Sequence, residues 1–165
     1  MIVQVKLNLL NNKVSLKIKV NIFRVAHDLL FELENSYMKN LIIVGHPYKK
    51  SFCYNGIFRT IFNEINKSGQ ELEVIDLYRD SFSRPRTKLI EIYKNLVIWS
   101  ERIYIISPVW WFRLTPRMEV FFDEVLTPGF AYKFVNITKT YAYPKPFLKD
   151  KKVRTYITHG APALP

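Results

Sequence analysis

RIYIISPVWWFRLTPRMEVFFDEVLTPGFAYKF, residues 102–134, passes without interruption from a buried strand to an aromatic loop to an amphipathic helix. Ile103, Tyr104, Ile105 and Ile106 form a short apolar run of β-branched and aromatic residues, suited to a parallel strand covered on both faces. Ser107 and Pro108 are expected to end it, because proline gives no N–H to a ladder. The chain then turns at the carboxyl end of that strand, where open α/β sheets bind their ligands. Val109, Trp110, Trp111 and Phe112 are displayed there, and two adjacent tryptophans cannot both face one core. Thr115 reads as an N-cap with Pro116 at the first helical position, and Met118, Phe121, Phe122 and Val125 keep i, i+3, i+4, i+7 spacing. Thr127, Pro128 and Gly129 stop the helix.

The flanking sequence repeats this grammar. Residues 40–45 read as a first strand with Leu41, Ile42, Ile43 and Val44 apolar in succession, followed by a loop over 46–50. Ser51 caps a helix whose apolar face is Ile57, Phe58, Ile61, Phe62 and Ile65, ending at Ser68-Gly69. Residues 72–75 make a second strand and 76–86 a polar loop; 88–99 make a helix with Leu89, Ile92, Tyr93, Leu96 and Trp99 inward. Residues 135–148 read as an irregular surface excursion, and 152–158 as a fourth strand. Strands alternating with helices imply right-handed βαβ units, hence an α/β, doubly wound parallel sheet ordered 2-1-3-4 with strands one and three adjacent at its centre. Residues 1–37 differ: alternating Val3, Val5, Leu7, Leu9 and Val14, Leu16, Ile18, Val20 around Asn11-Asn12 are the pattern of a hairpin, and the segment is read as an N-terminal extension without chemistry.

Composition bounds the function loosely. With 165 residues, 48% hydrophobic and 24% charged, the chain is long enough for one domain with a real core. The net charge of +11 comes from Lys and Arg spread along the chain, which reads as a solvated basic surface; with no zinc-finger spacing and no RNA-binding aromatic motif, no nucleic-acid partner is expected. A single cysteine, Cys53, rules out an internal disulfide framework. With no signal-peptide pattern and no run of 18 apolar residues, neither an integral membrane segment nor export is expected, and the cytoplasm is the expected compartment.

Three strand-ending loops carry chemistry suited to a planar, phosphorylated cofactor. In the first, His46 and the backbone amides around Ser51 and Phe52 at a helix N-terminus make an anion site, with Lys49 and Lys50 nearby. It contains neither G-x-G-x-x-G nor G-x-x-x-x-G-K-[ST]. In the second, Trp110, Trp111 and Phe112 offer a flat wall for a ring system. In the third, Thr158, His159 and Gly160 bring hydroxyl and backbone donors to the other side of that ring.

At these residues the chain resembles the NAD(P)H:quinone oxidoreductases of flavodoxin-like fold, the group of DT-diaphorase and its bacterial relatives. The resemblance runs from Met38 to Pro162 and rests on KNLIIVGHPYKKSFCYN, ISPVWWFRLTPRMEVFFDEVLTPGFAYKF and ITHGAP, in that order. It implies that residues 38–165 are a flavodoxin-like, flavin-binding domain, C-terminally truncated, with the fifth strand missing. By this similarity His46, Ser51, Phe52 and Cys53 hold the phosphates and ribityl chain of FAD or FMN. Pro108, Val109, Trp110, Trp111 and Phe112 match the loop under the isoalloxazine, and Thr158, His159, Gly160 and Ala161 its pyrimidine-side turn. Tyr132 and Phe134 match aromatics that close the substrate pocket of the neighbouring subunit in dimeric members, so a homodimer is expected, with Phe130, Tyr132 and Phe134 against the partner's flavin. The implied activity is hydride transfer from NAD(P)H through the flavin to a quinone-like acceptor, with no metal.

The chain also departs from the family. Many members carry a small residue, often glycine, where Arg113 stands, and a Lys-Gly pair where Glu119-Val120 stands. Members continue past the position of Pro162 through a fifth strand and a helix, and the Tyr and His credited with helping hydride transfer in DT-diaphorase lie there. No residue here inherits those roles, and no catalytic residue is assigned. Two alternatives share the fold: a regulatory flavoprotein subunit of a potassium efflux system, and a truncated remnant without activity.

Overall fold

The structure, a computed structural model, describes residues 38–160; the hairpin expected within residues 1–37, and Ala161, lie outside the described residues. Strand β1 (Lys39–Val44) pairs in parallel with β2 (Glu71–Asp76) on one side and β3 (Arg102–Trp110) on the other. Strand β7 (Lys152–Thr158) pairs in parallel with β3, so the order β2-β1-β3-β7 is the expected 2-1-3-4.

The two apolar runs explain which strands are central. Leu41 to Val44 and Ile103 to Ile106 are all buried, which requires cover on both faces. Leu41, Ile43, Ile103 and Ile105 pack with Tyr93 and Val97 of α2 (Thr87–Trp99) and with Met118, Phe121 and Val125 of α3 (Pro116–Val125). The alternate residues Ile42, Val44, Tyr104 and Ile106 turn to the opposite face, and Ile61 and Ile65 of α1 (Arg59–Lys67) are buried outside the first cluster. Each such side chain contributes about 1.5–3 kcal/mol by leaving water. The loop after β2 is pinned down onto α3: Arg86 donates to both oxygens of Glu124 (2.8 and 2.5 Å), and Arg117 donates to the Leu77 carbonyl (2.7 Å).

Several local expectations are corrected. Pro108 does not end β3, which continues to Trp110. The Ile106 carbonyl accepts from the Gly45 amide, so backbone alternation turns the nitrogen of residue 108 to the same side, where β1 has already stopped. The missing N–H therefore leaves no gap in the ladder. Residues 135–148 are not irregular: β5 (Tyr132–Asn136) and β6 (Ala142–Pro146) form an antiparallel hairpin. Phe147 donates inward to the Ala131 carbonyl, so Pro144 and Pro146, of opposite parity, turn their nitrogens to the free outer edge. Ile92 is exposed and Val97 buried, which rotates the inner face of α2 toward Ile90, Tyr93 and Val97. Phe62 is likewise exposed on α1. Thr115 has the extended conformation of an N-cap but makes no cap bond, because its hydroxyl donates to the Gly45 carbonyl (2.9 Å) and ties the start of α3 to the end of β1.

Candidate functional site

β1, β3 and β7 end on one edge of the sheet, and the three loops that leave it meet there. The loop after β1 is heavily cross-bonded. The Tyr48 amide donates to His46 Nδ1 (3.0 Å), so the ring is neutral with its proton on Nε2, and burial pushes its pKa below the ordinary histidine range. The Ser51 amide donates to the Tyr48 carbonyl (3.1 Å), and the Ser51 carbonyl accepts from the amides of Tyr54 and Asn55 (3.2 and 2.9 Å). The amides of Phe52 and Cys53 find no backbone acceptor among the described residues. Amide donors without a backbone acceptor at the start of a helix, beside a neutral imidazole, suit a phosphate, although the Cys53 amide also lies against its own sulfur.

That helix does not begin as an α-helix. Residues Cys53–Phe58 form a π-helical turn, closed by the Arg59 amide on the Tyr54 carbonyl, before α1 follows. Single π-turns recur at functional sites because the extra residue re-aims the side chains around it. Here Phe52 lies over Gly56: a β-carbon added to Gly56 would stand 2.4 Å from Phe52 Cε2, so the ring keeps its place only over glycine. Tyr54 is turned inward, and its hydroxyl donates to Asp76 Oδ1 (2.5 Å) at the end of β2. Lys49 closes the group, with its ammonium 2.8 Å from the Tyr54 hydroxyl, 4.1 Å over the Tyr54 ring and ion-paired with Asp76. Burial and the Asp76 carboxylate hold the Tyr54 hydroxyl protonated far above the usual tyrosine range. Lys49 is thus committed to Asp76 rather than left for a ligand. Tyr54 and Asp76 carry no local signal in the sequence, since each gains its role from a partner far away in the chain, and Gly56 gains its own only through the π-helical turn that sets Phe52 over it.

The second and third loops reach the first through one contact each. The Trp110 ring meets His46 edge to face, with centroids 5.6 Å apart. Cys53 Sγ lies 3.3 Å from Thr158 Oγ1 at the end of β7, and burial pushes its thiol pKa up, leaving it unreactive. His46, Ser51, Phe52, Cys53, Trp110 and Thr158 therefore share one edge, at which β3 carries Pro108 buried and Val109 half-buried. His159 and Gly160 follow Thr158 as exposed residues. Trp111 and Phe112 are not gathered in. They are the two central residues of the turn between β3 and β4 (Arg113–Leu114), 92% and 100% exposed, with φ of 51° and 63°. A two-residue hairpin asks for such angles and favours Asn-Gly; a Trp-Phe pair there is strained by about 1–3 kcal/mol per residue. Arg113 beside it makes a two-pronged ion pair with Glu119 of α3 (3.0 and 3.0 Å), so two positions that depart from the family pattern are each other's partners. Tyr132 and Phe134 pair edge to face (5.4 Å) on β5, whereas Phe130 is half-buried against the chain's own core and lies under Lys94.

The chain shares 26% identity over 142 residues with a protein of Haemophilus influenzae named as an uncharacterized NAD(P)H oxidoreductase, with 75% of this chain and 65% of that one covered. The chain thus spans less than two thirds of that relative's length. Among solved structures it is similar to an NAD(P)H:quinone oxidoreductase from Methanothermobacter marburgensis (TM-score 0.60, 20% identity, covering 78% of this chain and 70% of that one). It is also similar to an FMN-dependent NADH-azoreductase from Bacillus anthracis in complex with FMN (TM-score 0.55, 16% identity, 74% and 69% covered). The sequence profile of the flavodoxin-like fold family matches residues 38–164, the same span as the sheet, helices and edge described above, and the chain belongs to that family.

Proposed function

We propose that this protein is a flavin-dependent NAD(P)H dehydrogenase acting on quinone-like acceptors. The observation that carries the proposal is the meeting of the three loops at one sheet edge, through His46 with Trp110 and Cys53 with Thr158. The residues suit a flavin phosphate in particular, because the Phe52 and Cys53 amides are donors without backbone acceptors. A bound flavin would supply the hydride-carrying chemistry between NAD(P)H and an acceptor. The chain's part is binding and orientation. The Phe52 and Cys53 amides, with Ser51, hold the phosphate end; His46 offers Nε2–H; Trp110 walls the ring. The Thr158 hydroxyl and the backbone of His159 and Gly160 serve its polar edge, and the resemblance assigns Ala161 to the same turn. Pro108 and Val109 fix the strand end that aims Trp110. FMN is the flavin we assign, in keeping with the FMN-bound neighbour.

We assign a homodimer in the cytoplasm, in which Trp111, Phe112, Tyr132 and Phe134 are covered by the second copy; Trp111 and Phe112, strained and almost fully exposed, are otherwise an unusual surface. The decisive measurement is the absorption spectrum of the purified protein, with identification of any flavin released on denaturation, followed by NAD(P)H oxidation with a quinone. A colourless protein that neither quenches nor retains added FMN or FAD would overturn the proposal. A clean monomer with flavin bound would overturn the assembly alone.

A further inference from the structure

The β5–β6 hairpin carries chemistry that the flavin site does not use. Between Glu124 and Asp150 there is no acidic residue, while Lys133, Lys139, Lys145 and Lys149 all fall there and are all exposed. None of the four has an ion pair among the described residues. Register sorts the hairpin into two faces, since directly opposed residues share a side. One face carries Tyr132, Phe134 and Asn136 opposite Pro146, Pro144 and Ala142. The other carries Lys133 opposite Lys145 and Val135 opposite Tyr143, and the pairing continues to Ile137, whose amide donates to the Tyr141 carbonyl (2.9 Å). Val135, Tyr143, Ile137 and Tyr141 are all exposed. Like charges directly opposed across a ladder are destabilising, so the Lys133–Lys145 pair is a cost that an anionic partner would offset.

We propose that this second face docks on an anionic lipid bilayer, with the lysines against phosphate headgroups and Ile137, Val135, Tyr141 and Tyr143 in the interfacial layer. Charge complementarity sets the sign of the partner, and the side chains set its class. Tyrosine suits the level between headgroup and acyl chain, and isoleucine and valine gain from entering an apolar layer but have no flat ring to stack on a nucleic-acid base. No helix among the described residues is long and apolar enough to cross a membrane, so the attachment is peripheral. The copy-to-copy contact proposed above uses Tyr132 and Phe134 on the opposite face, so the two contacts do not compete. The inference stands apart from the flavin reading, although a quinone-like acceptor would be concentrated at the same surface.

The test is co-sedimentation of the full chain with vesicles of mixed phosphatidylglycerol and phosphatidylcholine, compared with phosphatidylcholine alone. Binding is expected only to the anionic vesicles and should fall about fivefold for each lysine lost, hence tenfold or more in Lys133→Ala/Lys145→Ala. A second variant, Ile137→Trp, reports insertion directly: its added fluorescence should shift to the blue on anionic vesicles and be quenched by brominated acyl chains. Equal binding to neutral vesicles, no binding to either, or an Ile137→Trp signal blind to the brominated lipid would overturn the proposal. So would retention of the lysine-dependent binding by single-stranded DNA in place of vesicles, or dissociation of a dimer by Ile137→Ser. Bound flavin is unaffected in each arm, so failure here leaves the flavin reading untouched.

Discussion

The loop after β1 and the turn after β3 stand on the same sheet edge and are built in opposite ways. In the first, side chains and backbone are cross-bonded within the chain: His46 with Tyr48, Ser51 with Tyr54 and Asn55, Tyr54 with Asp76 and Lys49. The Phe52 and Cys53 amides, at the start of the helix, are among the donors left without a backbone acceptor among the described residues. In the second, Trp111 and Phe112 hold left-handed backbone angles with both rings in solvent. A loop whose own bonds fix it presents a small set of donors at little further entropic cost, as a charged ligand needs. A strained turn displaying aromatics is stabilised only when something covers it.

Breaking the first loop should have the largest effect. Tyr54→Ala empties a buried aromatic site and strips Asp76 of a donor, so we expect a loss of about 3–5 kcal/mol in urea unfolding, together with loss of flavin retention. Relaxing the second should move stability the other way. Trp111→Asn with Phe112→Gly supplies the residues that the turn geometry prefers and should stabilise the flavin-free chain by about 2 kcal/mol, while weakening the proposed contact between copies. Unchanged stability in that variant would show that the turn is not strained.

A pH titration sharpens the contrast further, because only the first loop holds a buried titratable group. His46 binds its proton less readily folded than unfolded, so stability should begin to fall as pH drops below about 6.5, where the unfolded chain takes up a proton that the folded chain resists. His46→Gln should flatten that part of a thermal-melting profile. The smallest effect is expected for Arg113→Ala. Its pair with Glu119 is mostly exposed and contributes about 0–1 kcal/mol, measurable as a slight drop in urea midpoint that vanishes in high salt.

Sheet order, helix positions and the loops that meet at the edge followed from local pattern alone. Leu41 to Val44 and Ile103 to Ile106 are too uniformly apolar to be anything but central parallel strands, and the residues after such strands must converge on one edge. That much is a property of period and punctuation, which neighbours in the chain carry between them. What tertiary structure decided depended on partners distant in sequence. Pro108 could stay inside β3 because β1 happens to stop at Val44; residues 132–146 became a hairpin because their prolines faced a free edge; Thr115 capped nothing because the Gly45 carbonyl was nearer. Asp76 gained its role from Tyr54 and Lys49, 22 and 27 residues away, and no window of sequence holds all three. Hydrophobic burial is additive and legible along a chain, whereas hydrogen bonds and ion pairs are directional and exist only where the fold brings both ends together.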